Sequence, residues 1–413
     1  TVLCTMTGHG GPCRGAIGVI DPAHGVDAQA AIRNLTPEIN IGQVDRGFST
    51  HDRVRGPYES PYPIDDEYFL VSRRGTLLLR DYDGGRVWDV RRCGPEGGLG
   101  FYGARPIRPR QPPPTRGSMP AEEPDNWATM YLQDVYQGLG PHVKRGDVKQ
   151  ICVVQEIEKS RLAPLARRAF GFQFPVVSCG ATYAPKKVWG YAPVAEDGSA
   201  VFKVPAEVPI YFMAIDAEGR AVQRMRSFTH LMPGEVQGCI GCHEGRLTSS
   251  GVRGMPTTLC GEPLELSPPE WGVRGFSYAH IVQPVLDRHC VGCHHPLEPS
   301  GGVDLTGDLT DFFNVSYEVL ARQDTIATNP DQGGLSRRGQ QAVSNPYTKW
   351  IPTYNGAEDN ILHIDPKTWG SPASKLADII LSGHPDKEGK PRITMDPASQ
   401  RRVFAWIDLN VPY

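Results

Sequence analysis

The sequence lacks an excess of charge of either sign and any long run of apolar residues. Its 43 basic residues nearly balance its 46 acidic ones, and the formal net charge is −3. This balance argues against nucleic acid or a membrane surface as a partner. No apolar run approaches the roughly 20 residues of a membrane-spanning helix. Neither a phosphate-binding loop nor a serine-hydrolase motif is present, and the cluster Gly94, Gly97, Gly98 and Gly100 lacks the spacing of a nucleotide-binding fingerprint.

The sequence also lacks an N-terminal leader of charged and then apolar residues. It begins at Thr1, so we expect either a mature protein cut from its export signal or an interior fragment. With 413 residues, of which 39% are hydrophobic, the chain is large enough for two or three domains.

Two C-x-x-C-H motifs dominate what is present. They are Cys239-Ile240-Gly241-Cys242-His243 and Cys290-Val291-Gly292-Cys293-His294. The spacing is typical of c-type haem attachment, because two thiols three positions apart can add to the two vinyl groups of one porphyrin edge while the next histidine ligates the iron. The sequence therefore predicts two c-type haems. The residues that would bind them are Cys239, Cys242, His243, Cys290, Cys293 and His294.

Two other readings of the cysteine pairs are disulfides and a zinc ribbon built from four thiols. Neither explains why a histidine follows both pairs. Because c-type haems are attached outside the bacterial cytoplasm, we expect a periplasmic or extracellular protein. The remaining cysteines could then form three disulfides, and proximity favours Cys4 with Cys13 and Cys152 with Cys179. The six are Cys4, Cys13, Cys93, Cys152, Cys179 and Cys260.

The apolar pattern predicts a multidomain, mainly β fold with a C-terminal α-helical cytochrome c domain. Residues 1–104 form a β-meander or propeller-like segment, 105–125 a proline-rich linker, 126–262 a β-sandwich-like middle domain, and 263–413 the cytochrome c-like domain. The strands expected in the first segment are Gly15–Ile20, Glu67–Ser72, Thr76–Asp81 and Arg86–Arg91, with a hairpin turn at Asp83-Gly84-Gly85.

The middle and C-terminal segments differ in their periodicity. The strands expected in the middle segment are Met130–Leu132, Val148–Ile157, Ala200–Val204, Ile210–Ile215 and Val222–Met225, with a final strand through Arg226, Thr229 and His230. The first haem motif would then lie in a loop at the edge of the sandwich. Helical spacing is expected at Tyr278–His289, which would deliver Cys290, and at Ser399–Leu409, which would pack across it.

Each haem iron has a sixth coordination position to fill. For the second haem the downstream candidates are His363, His384 and Met395, whereas His295 is expected at the surface because it directly follows the proximal ligand. A methionine ligand would raise the potential of this haem. For the first haem the candidates are His230, His142 and His9, and an open sixth position is the alternative.

Several segments resemble the hydrazine synthase alpha-subunit-like proteins of planctomycete-type bacteria. The matching segments are Tyr58–Pro63, Phe69–Ser72, Asp134–Leu139, Met225–His243 and Trp406–Tyr413. The resemblance implies a propeller, a middle domain with one c-type haem and a C-terminal domain with a second. It also implies bis-histidine ligation of the second haem, with His384 of Ser382-Gly383-His384-Pro385 as the distal ligand.

The resemblance also implies a zinc ion at the first-motif histidine and a tyrosine iron ligand four residues later. The matching positions are His243 and Leu247, so the simpler expectation is that His243 binds its own haem iron. Two functions follow. The first is electron transfer by a dihaem cytochrome to redox partner proteins or to further copies of itself in an oligomer. The alternative is catalysis on a small nitrogen or oxygen species at the first haem, as in hydrazine synthase or a dihaem peroxidase.

Overall fold

The computed structural model of the chain describes most, but not all, of its residues. The described residues are 1–8, 13–25, 29–41, 54, 56–93, 99–112, 126–158, 184–225, 227–242, 254–310, 313–321, 328–329, 334–335, 349–351 and 365–413. Backbone contacts divide the chain into two units, Thr1–Gly117 and Ser118–Tyr413. The boundary between the two units lies inside residues 105–125, the predicted linker. The other predicted domain boundaries stay predictions.

The first unit contains two antiparallel sheets. Their strands are β1 (Val2–Met6), β2 (Ala16–Ile20), β3 (Ile32–Asn34), β4 (Tyr58–Pro63), β5 (Tyr68–Arg73), β6 (Thr76–Asp81) and β7 (Val87–Arg91). One sheet has the order β1-β2-β3 and the other β4-β5-β6-β7. Alternating residues such as Phe69 and Val71 on β5 point into a small core with Ile17 and Leu78. The expected meander is thus present, and its last hairpin turns at Gly84, whose φ is +77°.

The described part of the second unit contains two larger sheets. Their strands are β8 (Trp127–Leu132), β9 (Gln150–Glu156), β10 (Lys186–Pro193), β11 (Ala200–Pro205), β12 (Ile210–Ile215), β13 (Ala221–Arg224) and β14 (Val236–Cys239). The orders are β10-β9-β12-β13 and β11-β8-β14. All pairs are antiparallel except β14 with β8, which are parallel. A short antiparallel pair follows later, formed by β15 (Thr328–Asn329) and β16 (Gly334–Leu335).

The sheet β10-β9-β12-β13 is buried on both faces. On β9, Ile151 and Val153 pack into the core shared with the other sheet, whereas Cys152 and Val154 pack against the C-terminal helices. Because successive side chains of a strand point to opposite faces, a strand covered on both sides is apolar at nearly every position. This explains why the run expected to be a strand at Val148–Ile157 shows no polar alternation.

The C-terminal region supplies the helices. They are α1 (Tyr278–Ile281), α2 (Gln283–His289), α3 (Val315–Ala321), α4 (Lys375–Leu381) and α5 (Pro397–Asp408). The fold is therefore mainly β with several antiparallel sheets and a few C-terminal helices, as the sequence predicts at that level. None of the helices in the described part of the chain has the length and apolar character needed to cross a bilayer.

Three expectations need correction. The single helix expected at Tyr278–His289 is two helices that meet at Val282, because Pro284 has no N–H to continue the first helix. The first C-x-x-C-H motif begins at the last residue of an edge strand, Cys239 of β14, and only its following residues lie in the expected loop. The final middle-domain strand expected through Thr229 and His230 is absent, since β13 ends at Arg224 and Thr229 makes only an isolated bridge to Ile210.

The disulfide expectation also changes. Cys4 and Cys13 are free thiols in the structure, so the pairing expected between them is not formed. Cys152 is a free thiol as well, buried beneath the helices; its expected partner Cys179 lies outside the described residues. Burial raises the pKa of the Cys152 thiol well above its usual range, so this sulfur stays protonated and behaves as a small apolar group.

Candidate functional site

The second C-x-x-C-H motif forms one tight turn at the C-terminal end of α2. The N–H of Cys290 donates to Leu286 O at 2.7 Å, and the N–H groups of Cys293 and His294 donate to Cys290 O at 3.1 and 3.0 Å. Cys290 is half-buried against the main core and Cys293 is exposed. The helix thus fixes two cysteines and one histidine within a single turn.

A backbone carbonyl selects which nitrogen of His294 is available as a ligand. The Nδ1 atom of His294 lies 2.9 Å from Val303 O. A carbonyl oxygen can only accept a hydrogen bond, so Nδ1 carries the proton. The lone pair of Nε2 is therefore left for a metal, which is the usual arrangement of a metal-binding histidine.

His384 is placed by the cap that ends α4. The N–H of His384 donates to Ile379 O at 2.8 Å, and the N–H of Gly383 donates to Ile380 O at 3.2 Å. These two bonds define a Schellman motif, which requires a left-handed residue directly after the helix. Gly383 fills that position with a φ of +73°, and His384 follows with a φ of +50°. Such a conformation is uncommon for a residue with a side chain and is often found at functional sites.

The rings of His294 and His384 face each other. Their centroids are 6.2 Å apart and their planes differ by 23°. A metal–imidazole bond is about 2 Å long and the ring centre lies roughly 1 Å behind its nitrogen, so two imidazoles on opposite sides of one metal have centres about 6 Å apart. The observed centroid separation is close to this value. The two histidines are therefore candidates to hold one metal ion together.

The surroundings of His384 favour its neutral form. Burial is the main cause that lowers the pKa of this imidazole, and the charge of Arg392 and the neighbouring His294 act in the same direction. A neutral imidazole is the form that binds a metal. His384 is thus prepared to act as a ligand at neutral pH.

The other candidate ligands lie in different surroundings. Met395 is only 6% exposed and packs in the main hydrophobic core. His295 is half-buried beside the motif and His363 lies outside the described residues. The assignment of His384 as the distal ligand stays a prediction, and its 6.2 Å ring separation from His294 supports it.

Gly383 also makes a close approach to the chain that follows it. A Cβ atom built on Gly383 would lie 2.9 Å from both Ile393 O and Pro391 Cβ. The missing side chain makes room for the chain's own following loop.

We therefore expect Gly383→Ala to disturb the His384 position. The positive φ costs about 1 kcal/mol for alanine, and the contacts with Pro391 and Ile393 add to it. Thermal unfolding and the visible spectrum of the haem protein test this. Gly389→Ala is a matched control, because Gly389 has a φ of +84° and open space around its Cβ position. Equal effects of the two changes on stability and spectrum would contradict this role.

The first C-x-x-C-H motif begins at Cys239, the last residue of β14. Cys239 pairs with Leu132 of β8, and its sulfur lies 3.9 Å from Met130 Sδ. Cys239 and Cys242 both pack against the core between the two sheets. This motif is therefore held by a sheet, whereas the second is held by a helix.

The histidine candidates for the first iron are not brought together by the described structure. His243 and His9 lie outside the described residues, and His230 and His142 are exposed. Their assignment as ligands, including His230 as the second ligand of the first haem, stays a prediction. Within the described ranges, no three His, Cys, Asp or Glu side chains gather as a metal site, so the four motif thiols do not form a shared zinc ribbon.

Fold and site together define a mainly β protein with a helical C-terminal region that carries a pair of neighbouring histidines at a C-x-x-C-H motif. Residues 146–244 match the family model described as the hydrazine synthase alpha subunit middle domain. The chain is a distant homologue of the hydrazine synthase alpha subunit, and the matched segment belongs to its middle-domain family. The resemblance expected from the sequence is thereby confirmed.

The extent of the relationship is limited. The hydrazine synthase subunit alpha of Kuenenia stuttgartiensis is 26% identical over an alignment of 234 residues, which covers 46% of this chain and 28% of the relative. A solved structure of Kuenenia stuttgartiensis hydrazine synthase superposes with a TM-score of 0.60 at 18% identity, over 97% of this chain and 58% of that one. The chain thus spans less than two thirds of either relative, and the structural likeness establishes the fold alone.

Proposed function

We propose that this chain is a dihaem c-type cytochrome that transfers electrons through a closed second haem. The observation that carries the proposal is the facing pair of His294 and His384 at 6.2 Å. An iron held from both sides has no position left for a substrate. Haem bound in this way supplies reversible one-electron chemistry.

The chain's own residues have separate roles in this proposal. Cys290 and Cys293 would hold the porphyrin by thioether bonds, and His294 and His384 would ligate its iron. Val303 orients His294 through the 2.9 Å hydrogen bond, and a strong acceptor at Nδ1 makes the ligand more electron-donating. Two imidazoles without a sulfur ligand place the potential below that of a methionine-ligated haem.

The finer domain assignments belong to the same proposal. The antiparallel sheet β4-β5-β6-β7 supports a propeller-like interpretation of residues 1–104. The packing of α5 with α2, which leads into Cys290, supports a cytochrome c domain in residues 263–413. We infer export to the periplasm or the cell exterior, and redox partners that are other proteins or further copies of this chain.

A second function is favoured by one observation. The family match at residues 146–244 extends through the first motif, so the first haem is the place where chemistry related to a synthase would occur. Leu247 stands where the resemblance implies a tyrosine ligand. Catalysis on a small nitrogen or oxygen species therefore remains the alternative to electron transfer at that haem.

Mass spectrometry of the denatured protein tests the haem content. We expect the polypeptide mass plus two haems, because thioether bonds survive denaturation. A mass without added haem would refute the proposal. Reduced protein exposed to carbon monoxide then separates the two functions: an unchanged spectrum supports two closed haems, and a shifted one supports an open first haem.

A further inference from the structure

The loop between the first pair of cysteines lies along residues Gln133–Gln137, hereafter the 133–137 segment. The N–H of Gln133 donates to Cys239 O at 2.9 Å, and the N–H of Asp134 donates to Ile240 O at 3.1 Å. These bonds continue the pairing of β8 with β14 beyond the last strand residue. The backbone of the motif itself is therefore held by this segment.

Gly241 lies in direct contact with the same segment. A Cβ atom built on Gly241 would be 2.5 Å from both Gln137 Cβ and Gln137 O. Real Cβ atoms do not approach this closely, and one of the two atoms belongs to the backbone. Gly292 occupies the equivalent position of the second motif, and nothing lies within 4 Å of its Cβ position. The two motifs share a sequence pattern, but only the glycine of the first motif is in close contact with another segment of the described chain.

The 133–137 segment is itself firmly anchored. The carboxylate of Asp134 accepts hydrogen bonds from Tyr136 N at 3.1 Å and from Arg145 Nη2 at 2.5 Å. Arg145 also donates to Asp197 O at 3.0 Å, and Val135 is fully buried. A buried carboxylate with charged and backbone donors is costly to displace. The segment therefore cannot easily move away from Gly241.

We propose that the 133–137 segment is a positioning platform for attachment of the first haem, and that Gly241 is required for the motif to lie on it. This inference rests on the proposed function. Each thioether forms when one S–H adds across one vinyl C=C: the sulfur bonds to one carbon and the hydrogen goes to the other, so no oxidant or reductant is consumed. Both additions at one porphyrin edge require a fixed distance between Cys239 and Cys242, which the platform sets.

The test compares Gly241→Ala with Gly292→Ala in the full chain. In Gly241→Ala, proteolytic fragments with Cys239 and Cys242 should mostly lack haem or carry it through one sulfur, while the second haem stays attached. A haem with one thioether keeps one vinyl group in conjugation, so its reduced α-band should shift to longer wavelength. Gly292→Ala should leave both haems doubly attached and the spectrum unchanged.

Three results would overturn the inference. They are full double attachment in Gly241→Ala, an equal loss in Gly292→Ala, and rapid hydrogen exchange of the Gln133 and Asp134 amides in the unaltered protein. The exchange measurement remains informative if Gly241→Ala fails to fold. If the unaltered protein carries no haem at all, the proposed function fails; if it carries two and Gly241→Ala does too, only the platform is refuted.

Discussion

Replacing His384 with alanine should convert the second haem from six-coordinate low spin to five-coordinate high spin. The centroids of the two imidazoles lie at the separation expected for ligands of one metal, so loss of one ring should leave the iron with one histidine. Visible absorption and electron paramagnetic resonance report the spin state. Added imidazole should restore the low-spin spectrum, because it can enter the space that the side chain leaves.

Met395 provides the control for this experiment. Met395→Leu keeps the volume of a residue that is 6% exposed, so it removes the sulfur with little loss of packing. We expect an unchanged spectrum. If the Met395 variant changes the iron and the His384 variant does not, the site is a His/Met cytochrome and the assignment is wrong.

Replacing Asp408 with alanine should produce a large loss of stability. Asp408 is 1% exposed and accepts from Ala221 N at 2.9 Å, Ser371 N at 2.7 Å and Ser371 Oγ at 2.7 Å. It thereby joins β13 to the helical region. Alanine would leave three buried donors without an acceptor, and we expect a loss of about 3 kcal/mol or more in the free energy of unfolding. Denaturant titration measures this loss.

Asp147→Ala is the matched control. Asp147 also joins the β region to the C-terminal region, through Lys367 at 2.7 Å, but its side chain is 33% exposed. Water screens such a pair, so the expected loss is below about 1 kcal/mol. Similar losses for the two aspartates would show that burial of Asp408 is not the cause.

The Asp408 contribution should also depend on pH. Burial raises the pKa of this carboxyl to about 7, against the lowering effect of the hydrogen bonds from Ser371 and Ala221 and of the Arg224 charge. Between its ordinary pKa of 3.8 and about 7, the folded state binds the proton more tightly than the unfolded state. The stability that protonated Asp408 contributes is therefore complete below pH ~4 and is lost as the pH rises through 7.

A comparison of Asp408→Ala with the unaltered protein at several pH values isolates this effect. The cost of the replacement should be larger at pH 5 than at pH 8, because the unaltered protein itself loses stability over that interval. Other carboxylates titrate equally in both proteins and cancel. A cost that grows with pH would mean that Asp408 is ionised in the folded protein throughout.

Strands with clear apolar patterns could be predicted from the sequence, and some others could not. The strand at Ile210–Ile215 has the expected limits, and that at Thr76–Asp81 does too. Strand β14 escaped prediction because Val236-Gln237-Gly238-Cys239 has no apolar alternation and is ordered by pairing with β8. Tertiary pairing of this kind outweighs local preference.

The candidate site also has parts that could be predicted from the sequence and parts that could not. The C-x-x-C-H motifs are local patterns and could be found in the sequence, whereas the preference for His384 over His363 and Met395 came only from the resemblance. Its position depends on a Schellman cap after α4, a helix that was not expected. The contact between Gly241 and Gln137 joins residues that are far apart in the sequence, so no local sequence pattern could predict it.

The sheet β10-β9-β12-β13 also determines how the second unit unfolds. Its two faces belong to two different cores, so loss of the helical layer would expose Cys152, Val154 and Met213 to water at once. The free-energy cost of exposing apolar surface to water is roughly proportional to its area. Unfolding of the helices alone is therefore unfavourable. Melting of the helices and melting of the sheets are thereby linked, and the layers behave as one cooperative unit.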